Sequence, residues 1–250
     1  MNVLGIIPAR YKSTRFPGKP LAKIGSKTMI HRVYSQAKKA FEDVLVATDD
    51  DAIFREVVSF EGQAVMTSPD HQSGTDRCAE AARGYVLPDG KKFDVVINIQ
   101  GDEPFIQPGQ LQILAAAFED PTVDIATLVK EAKTPEEIFS ENTAKVVINK
   151  NCEAVYFSRS PIPFVRGVEK DDWIKHHTFF KHIGVYAYRF DVLQEITQLK
   201  QGSLELAEKL EQNRWIENGY KIKVCKTDYE GLAVDTPEDL RRILETINPD

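Results

Sequence analysis

The chain has 250 residues, 42% of them hydrophobic, enough to bury a sizeable core as one large domain or as a domain with a lobe. A formal net charge of −6 argues against bulk nucleic-acid binding, and no apolar run approaches the roughly 20 residues needed to span a bilayer. The N-terminal apolar run precedes the basic residues, which is not the order of a signal peptide, and three widely spaced cysteines (Cys78, Cys152, Cys225) fit a reducing cytosol and offer no zinc spacing. Charge is unevenly spread: no Asp or Glu precedes Glu42, whereas cations run from Arg10 to Lys39, so a small anionic ligand is expected at this end.

Val3–Ile7 reads as a buried strand stopped at Pro8. It feeds a loop holding Arg10, Lys12, Ser13, Arg15, Gly18 and Lys19. Strand, Gly/Pro-punctuated loop and helix make the opening βα unit of an open α/β sheet, where ligands sit beyond the carboxyl ends of the strands. Cations this close repel one another unless a polyanion sits among them. Pro8, Pro17 and Pro20 stiffen the loop, and Gly18 admits close backbone approach. The loop reads as a phosphate cradle, with a solvated basic loop as the alternative. It contains neither GxxxxGK[ST] nor GxGxxG, which argues against a P-loop NTPase and a dinucleotide-binding dehydrogenase. Cationic side chains must then act along with backbone N–H groups.

Met29–Lys39 has helical spacing, with Met29, Ile30, Val33, Tyr34 and Ala37 on its apolar face. A strand at Val44–Ala47 runs into Thr48-Asp49-Asp50-Asp51, which reads as the cap of a helix starting near Ala52 rather than as a metal site. After a strand at Gln63–Met66 comes Thr67–Arg77, a polar turn able to read a base edge or simply to be solvated; His71 there belongs to loop geometry. Asp94–Ile99 is the most continuous buried-strand signal and leads directly into Gln100-Gly101-Asp102-Glu103-Pro104. Asp102 is placed to hold a metal over a sheet edge or to cap the helix near Pro108, and Glu103 is a second ligand or a loop anchor. A helix at Gln110–Phe118 and a strand at Val123–Val129 follow. Val146–Ile148 and Ala154–Phe157 then read as an antiparallel pair, so residues 145–215 are expected to form a lobe on the sheet. Leu204–Asn218 reads as one long helix stopped by Gly219, and Lys221–Cys225 as a strand. Thr236-Pro237-Glu238-Asp239 is a helix start whose cap does not need Asp235 to be acidic, which points Asp235 to a task outside the helix.

Several of these segments together resemble the 3-deoxy-manno-octulosonate (Kdo) cytidylyltransferases, within the wider sugar nucleotidyltransferases. The segments are IIPARYKSTRFPGKPL, HQSGTDR, QGDEP, YFSRSPIP, KHIGVYAY, the Glu211-Gln212 pair and GLAVDTPEDL, and they span the chain. The resemblance implies a Rossmann-like three-layer αβα nucleotide-diphospho-sugar transferase fold, α/β in class, with a mixed, mostly parallel sheet. It also implies a single domain over 1–250 whose lobe, roughly 145–215, serves sugar binding and dimerisation. The implied reaction joins CTP and Kdo to give CMP-Kdo and diphosphate for lipopolysaccharide synthesis, in a cytoplasmic homodimer using Mg²⁺. A sialic-acid-type cytidylyltransferase, or a transferase for another sugar, is the alternative enzyme; a non-catalytic nucleotide-binding regulator is the alternative outside enzymes.

Residue by residue, Arg10, Lys19 and Asp102 carry over as catalytic groups. Arg10, Ser13, Arg15, Lys19, Ser73, Arg77 and Gln100 carry over to the nucleotide, and Asp102 with Asp235 to magnesium. Arg159, His182, Tyr186, Glu211 and Gln212 carry over to the sugar. Asn213 departs from the family's usual leucine. His176 and His177 read as part of a mobile loop and are assigned no role.

Overall fold

The computed structural model describes residues 1–12, 16–229, 231 and 233–246, with Thr246 described in its backbone alone. The chain divides into two compact units, Met1–Ala115 with Gly231–Asp250, and Ala116–Glu230. The expected 145–215 lobe lies inside the second unit, which starts earlier and ends later.

The first unit runs β1 (Val3–Ala9), a small hairpin of β2 (Lys23–Ile24) and β3 (Lys27–Thr28), α1 (Met29–Ala40), β4 (Asp43–Thr48), α2 (Asp51–Ser59), β5 (Ala64–Met66), α3 (Gly74–Gly84), β6 (Val95–Asn98) and α4 (Pro108–Ala116). Strands β6, β1, β4 and β5 lie side by side in that order, all parallel. Strands covered on both faces need continuous apolar runs. Leu4, Ile6, Ile7, Val44–Ala47 and Val95–Ile97 supply them, each at most 1% exposed.

Pro8 does not stop β1, as the sequence suggests; the strand continues through it to Ala9. Pro8 lies beyond the last β1–β6 pair, Ile6 with Asn98, so its missing N–H breaks no ladder bond on that side. Helix α1 buries Met29, Ile30, Val33, Tyr34 and Ala37, the face its spacing predicts, and Thr28 caps it. Asp50 caps α2 by accepting from the N–H groups of Ala52 and Ile53.

The second unit holds β7 (Ile125–Glu131), α5 (Pro135–Phe139), β8 (Lys145–Ile148), β9 (Ala154–Ser158), α6 (Trp173–His176), β10 (Phe180–Arg189), α7 (Phe190–Ile196), α8 (Ser203–Glu208), α9 (Gln212–Glu217) and β11 (Ile222–Lys226). β10 runs antiparallel to β7 and β8, β8 and β9 form the expected antiparallel pair, and β11 is parallel to β7. The long helix expected over Leu204–Asn218 is two short ones. Lys209 between them is left-handed, φ 54°, and ends α8. Periodicity does not show this break, which falls next to Glu208, whose carboxylate is bonded by Tyr156, Ser158 and Arg159 far upstream. Gly219, at φ 86°, does terminate α9 as its sequence position suggests. The chain then returns to the first unit with α10 (Pro237–Thr246), where Val234 and Ile243 pack with Ile24 and Met29. The fold is α/β, with mixed strands flanked by helices. Among the described residues, no helix is long and apolar enough to cross a membrane.

Candidate active site

The parallel strands β1 and β6 end at Ala9 and Asn98, and the loops beyond them face the start of α3. They enclose a cavity of about 320 Å³ lined by Arg10, Lys19, Ser73, Arg77, Gln100, Asp102 and Asp235, together with Pro8, Ala9, Pro20, His71, Gln72, Gly74 and Gly101. Every described residue assigned from sequence to nucleotide or metal therefore lines one hollow. Ser13 and Arg15 lie outside the described residues.

Local backbone devices aim these side chains. Gly18 sits at φ 69°, donates its N–H to Tyr11 O at 3.0 Å and opens the turn Lys19–Leu21. A Cβ there would stand 3.2 Å from the Tyr11 ring, so glycine meets both demands and delivers Lys19. Gly101 lets the loop after β6 press on the end of β1; a Cβ there would stand 3.1 Å from Pro8 O. Asp102 follows directly, and its carbonyl accepts the Val234 N–H at 2.9 Å. That one backbone bond draws the distant segment before α10 to the same place. Thr236 and Asp239 close the capping box of α10, with Thr236 N–H on Asp239 Oδ2 at 2.9 Å and Asp239 N–H on Thr236 Oγ1 at 3.2 Å. The Asp235 carboxylate is left out of the cap and instead approaches Lys19.

The centre of the site is Lys19 Nζ, 2.8 Å from Asp102 Oδ2 and 3.5 Å from Asp235 Oδ1. Two acids more than a hundred positions apart thus share one cation. This donor set suits a hard divalent ion that takes one or two carboxylates and completes its shell with phosphate oxygens and water. Arg10 is exposed at the rim. Arg77, by contrast, is 3% exposed; its Nη1 donates to Thr67 Oγ1 at 2.5 Å and its Nη2 lies 3.5 Å from Asp49 Oδ2. Sequence reasoning missed Asp49 as a partner. A cap needs only one of the three consecutive acids, Asp50 fills that role, and the surplus acid is the signal that was available.

Ser73 is the N-cap of α3, in a capping box with Asp76, so the hydroxyl accepts from Asp76 N–H at 3.1 Å. The positive end of an eleven-residue helix therefore opens into the cavity, where an anion is favoured. Gln100 Nε2 donates weakly to Asn98 Oδ1 at 3.4 Å. His71 binds the Glu80 carboxylate, and the Ser68 N–H joins it at 3.0 Å. Burial pushes the Glu80 carboxyl up, but these bonds outweigh it and hold the group below its ordinary range. His71 is thus a loop fastener, as its sequence context suggests. Glu103 is 7% exposed and does not line the cavity; burial first, and then the charge of Asp102, push its carboxyl up to about 7.

The sugar-assigned residues lie in the second unit. His182 lies opposite Val129 on β7 and, past a bulge between Ile183 and Tyr186, Tyr186 lies opposite Thr127; the two ring centroids are 5.2 Å apart. His182 Nε2 pairs with Thr127 Oγ1 at 2.9 Å. Burial lowers the His182 pKa to about 3, so the ring is neutral. Burial, helped by the charge of Glu211, raises the Tyr186 hydroxyl well above its ordinary pKa. That hydroxyl and Gln212 Nε2 are both buried without a hydrogen bond of good geometry among the described residues. Arg159 donates Nε to Glu208 O at 2.8 Å and Nη1 to Glu141 O at 3.0 Å. Asn213, the departure from the usual leucine, is fully buried and clasps Phe157 by both backbone groups, Nδ2 to O at 2.9 Å and N–H to Oδ1 at 3.4 Å.

Known proteins similar to this chain match it over nearly its whole length. The Cytidylyltransferase family matches residues 4–222. A protein of Bacteroides thetaiotaomicron named 3-deoxy-manno-octulosonate cytidylyltransferase is 59% identical over 98% of both chains. A Geobacter sulfurreducens protein of the same name is 44% identical over 99% of this chain and all of its own. Among solved structures, a CMP:2-keto-3-deoxy-manno-octonic acid synthetase complexed with CTP superposes with a TM-score of 0.90, at 40% identity over 98% of both chains.

Proposed function

We propose, from the premise that this chain belongs to the cytidylyltransferase family, that it transfers the cytidylyl group of CTP to the 2-hydroxyl of 3-deoxy-D-manno-octulosonate. The observation that carries the reading is the meeting of Lys19, Asp102 and Asp235 at the mouth of parallel strands, beside Arg10 and the N-terminus of α3. This is a place for a triphosphate. In the reaction the sugar hydroxyl oxygen bonds to the α-phosphorus of CTP and its proton passes to solvent water, while the bond from that phosphorus to the bridging oxygen breaks in line and diphosphate leaves with the displaced electron pair.

The chemistry asks for alignment and for charge neutralisation on oxygens that become more negative. Arg10 and Lys19 hold the phosphates, Arg15 guides the departing diphosphate, and Ser73, Arg77 and Gln100 orient the nucleotide. Asp102 and Asp235 are the residues to hold magnesium, which when bound polarises the α-phosphoryl group. Arg159, His182, Tyr186, Glu211 and Gln212 take the carboxylate and hydroxyls of the acceptor. The buried Gln212 Nε2, without a hydrogen bond among the described residues, supports this assignment, since a buried polar group without a partner is costly unless a ligand or water serves it. His182, being neutral, offers a hydrogen bond rather than a charge. A cytoplasmic homodimer feeding lipopolysaccharide synthesis belongs to the same reading.

Diphosphate release from CTP, measured with Kdo and with a sialic acid as separate acceptors, tests it. Release that needs CTP, Kdo and magnesium together, and stops with a chelator, is the expected result. Turnover with the sialic acid and none with Kdo would overturn the acceptor assignment, and no turnover with any acceptor would overturn the whole reading.

A further inference from the structure

Arg159 is held more completely than its exposure requires. Its backbone N–H donates to Glu208 Oε2 at 2.9 Å, and its carbonyl accepts from Lys145 Nζ at 2.5 Å. Its Nε reaches Glu208 O, and its Nη1 reaches Glu141 O. Three segments are knotted at this residue: the turn after α5, the end of β9 and the end of α8.

The knot uses unusual groups. Lys145 is fully buried and has no carboxylate within ion-pair distance among the described residues; its ammonium faces three carbonyls, those of Ser140, Thr143 and Arg159. Burying an ammonium with no carboxylate in direct contact is expensive, even with the charges of Glu208 and Glu141 nearby, and a methionine would fill such a space at lower cost. Burial, with the nearby Arg159 charge, pulls this lysine down to about 8. Glu208 answers from the other side, accepting from Tyr156 OH at 3.2 Å and Ser158 OH at 2.6 Å as well as from Arg159 N–H. The break after α8 completes the arrangement. Ending the helix at Glu208 leaves its carbonyl outside the helical ladder, where Arg159 Nε caps it. The Nη2 group makes no hydrogen bond among the described residues, while Nε and Nη1 hold the plane of the guanidinium.

We propose that Glu208 and Lys145 are positioning residues that lock Arg159 from opposite sides of its backbone, so that its guanidinium is set in advance for the carboxylate of the acceptor. The proposal rests on the reading above that Arg159 contacts the acceptor. Locking a long cation beforehand removes the entropy that the ligand would otherwise have to overcome on binding.

The test is steady-state diphosphate release, varying Kdo at saturating CTP and CTP at saturating Kdo, for Arg159→Ala, Glu208→Gln, Lys145→Met and the Arg159→Ala/Glu208→Gln double variant. Loss of a charge-assisted contact is expected to raise the acceptor KM by about 10- to 100-fold in Arg159→Ala, and by about tenfold in the two positioning variants, with the CTP KM within about twofold. Because Glu208 acts through Arg159, the double variant is expected to be no worse than Arg159→Ala alone. Glu208→Gln keeps volume and one acceptor oxygen, so it reads the lock even if Lys145→Met does not fold. An Arg159→Ala enzyme with a raised acceptor KM beside a Glu208→Gln enzyme with an unchanged one overturns the proposal alone. An unchanged acceptor KM in Arg159→Ala overturns both the proposal and the acceptor assignment. A rise in both KM values together, tracking a lost melting temperature, marks Glu208 as merely structural and also overturns it.

Discussion

Replacing Lys19 by methionine keeps the stem and removes the ammonium, which separates two things the lysine can do. As a counter-ion it keeps Asp102 and Asp235 from repelling each other, at 2.8 and 3.5 Å. At an effective dielectric constant of about 20, each contact carries a gross attraction of roughly 5 kcal/mol, of which desolvation and side-chain ordering leave a small part. As a catalytic group it meets charge building on the phosphates, and losing such a contact costs about 10²–10³-fold in rate, or about 2.7–4 kcal/mol. The catalytic role predicts a kcat for diphosphate release lowered by about 10²–10³-fold at saturating CTP, Kdo and magnesium, with a melting temperature changed little once magnesium neutralises the two acids. The counter-ion role alone predicts the reverse: a lowered melting temperature without divalent cation, its recovery with cation, and full kcat. A Lys19→Met kcat within a factor of two of wild type would refute the placement of the triphosphate at this cavity.

Two further outcomes follow from the packing. In Gly101→Ala the new methyl group meets the Pro8 carbonyl oxygen at 3.1 Å; this backbone atom cannot turn away, so a stability loss of about 1–3 kcal/mol in urea is expected, with impaired turnover as Asp102 shifts. Wild-type stability and turnover in that variant would show the loop to be slack. His182 titrates near 3 in the folded chain against 6.5 for a free histidine, so the unfolded chain takes up the proton first as pH falls. Its contribution is intact above pH 6.5 and drains away below it, toward pH 3, by about 1.4 kcal/mol per pH unit. Between pH 7 and 5.5 this one group should remove a little over 1 kcal/mol, and His182→Gln should flatten the slope by that amount. Parallel pH profiles for the two proteins would show that the ring is not buried as described.

What the sequence revealed and what it hid divide along local and tertiary lines. The apolar face of α1 and the capping box at Thr236 are set by residues within a turn or two of each other, and both were legible. So was the surplus acid Asp235, since a cap that is already complete cannot account for it; the Lys19 contact shows where it points. The break at Lys209 was invisible in the local pattern, and the bonds made beside it at Glu208 come from Tyr156, Ser158 and Arg159, about fifty positions upstream. Lys145 was passed over for the same reason: in a polar stretch one lysine looks like any other until three carbonyls close on it. Arg77 was picked out as a cation near the nucleotide, and it does line the cavity. Its burial against Asp49 and Thr67 could not be read from spacing.

Charges in the two units are committed in different ways, and this decides how a ligand can use them. Lys19 is held by carboxylates, groups that a phosphate oxygen can replace without disturbing any strand or helix. Its stem is flexible and its ammonium is a compact charge, so it can turn from Asp102 to an incoming anion. Arg159, Lys145 and Glu208 are bound mostly to backbone carbonyls and N–H groups, and those partners cannot be exchanged without undoing β9 or the end of α8. The first arrangement suits a site that must bind and then release a highly charged product; the second suits one that must tell one acid sugar from another by shape. Salt should weaken CTP binding more than acceptor binding, because a triphosphate carries several charges to be screened and the acceptor a single carboxylate.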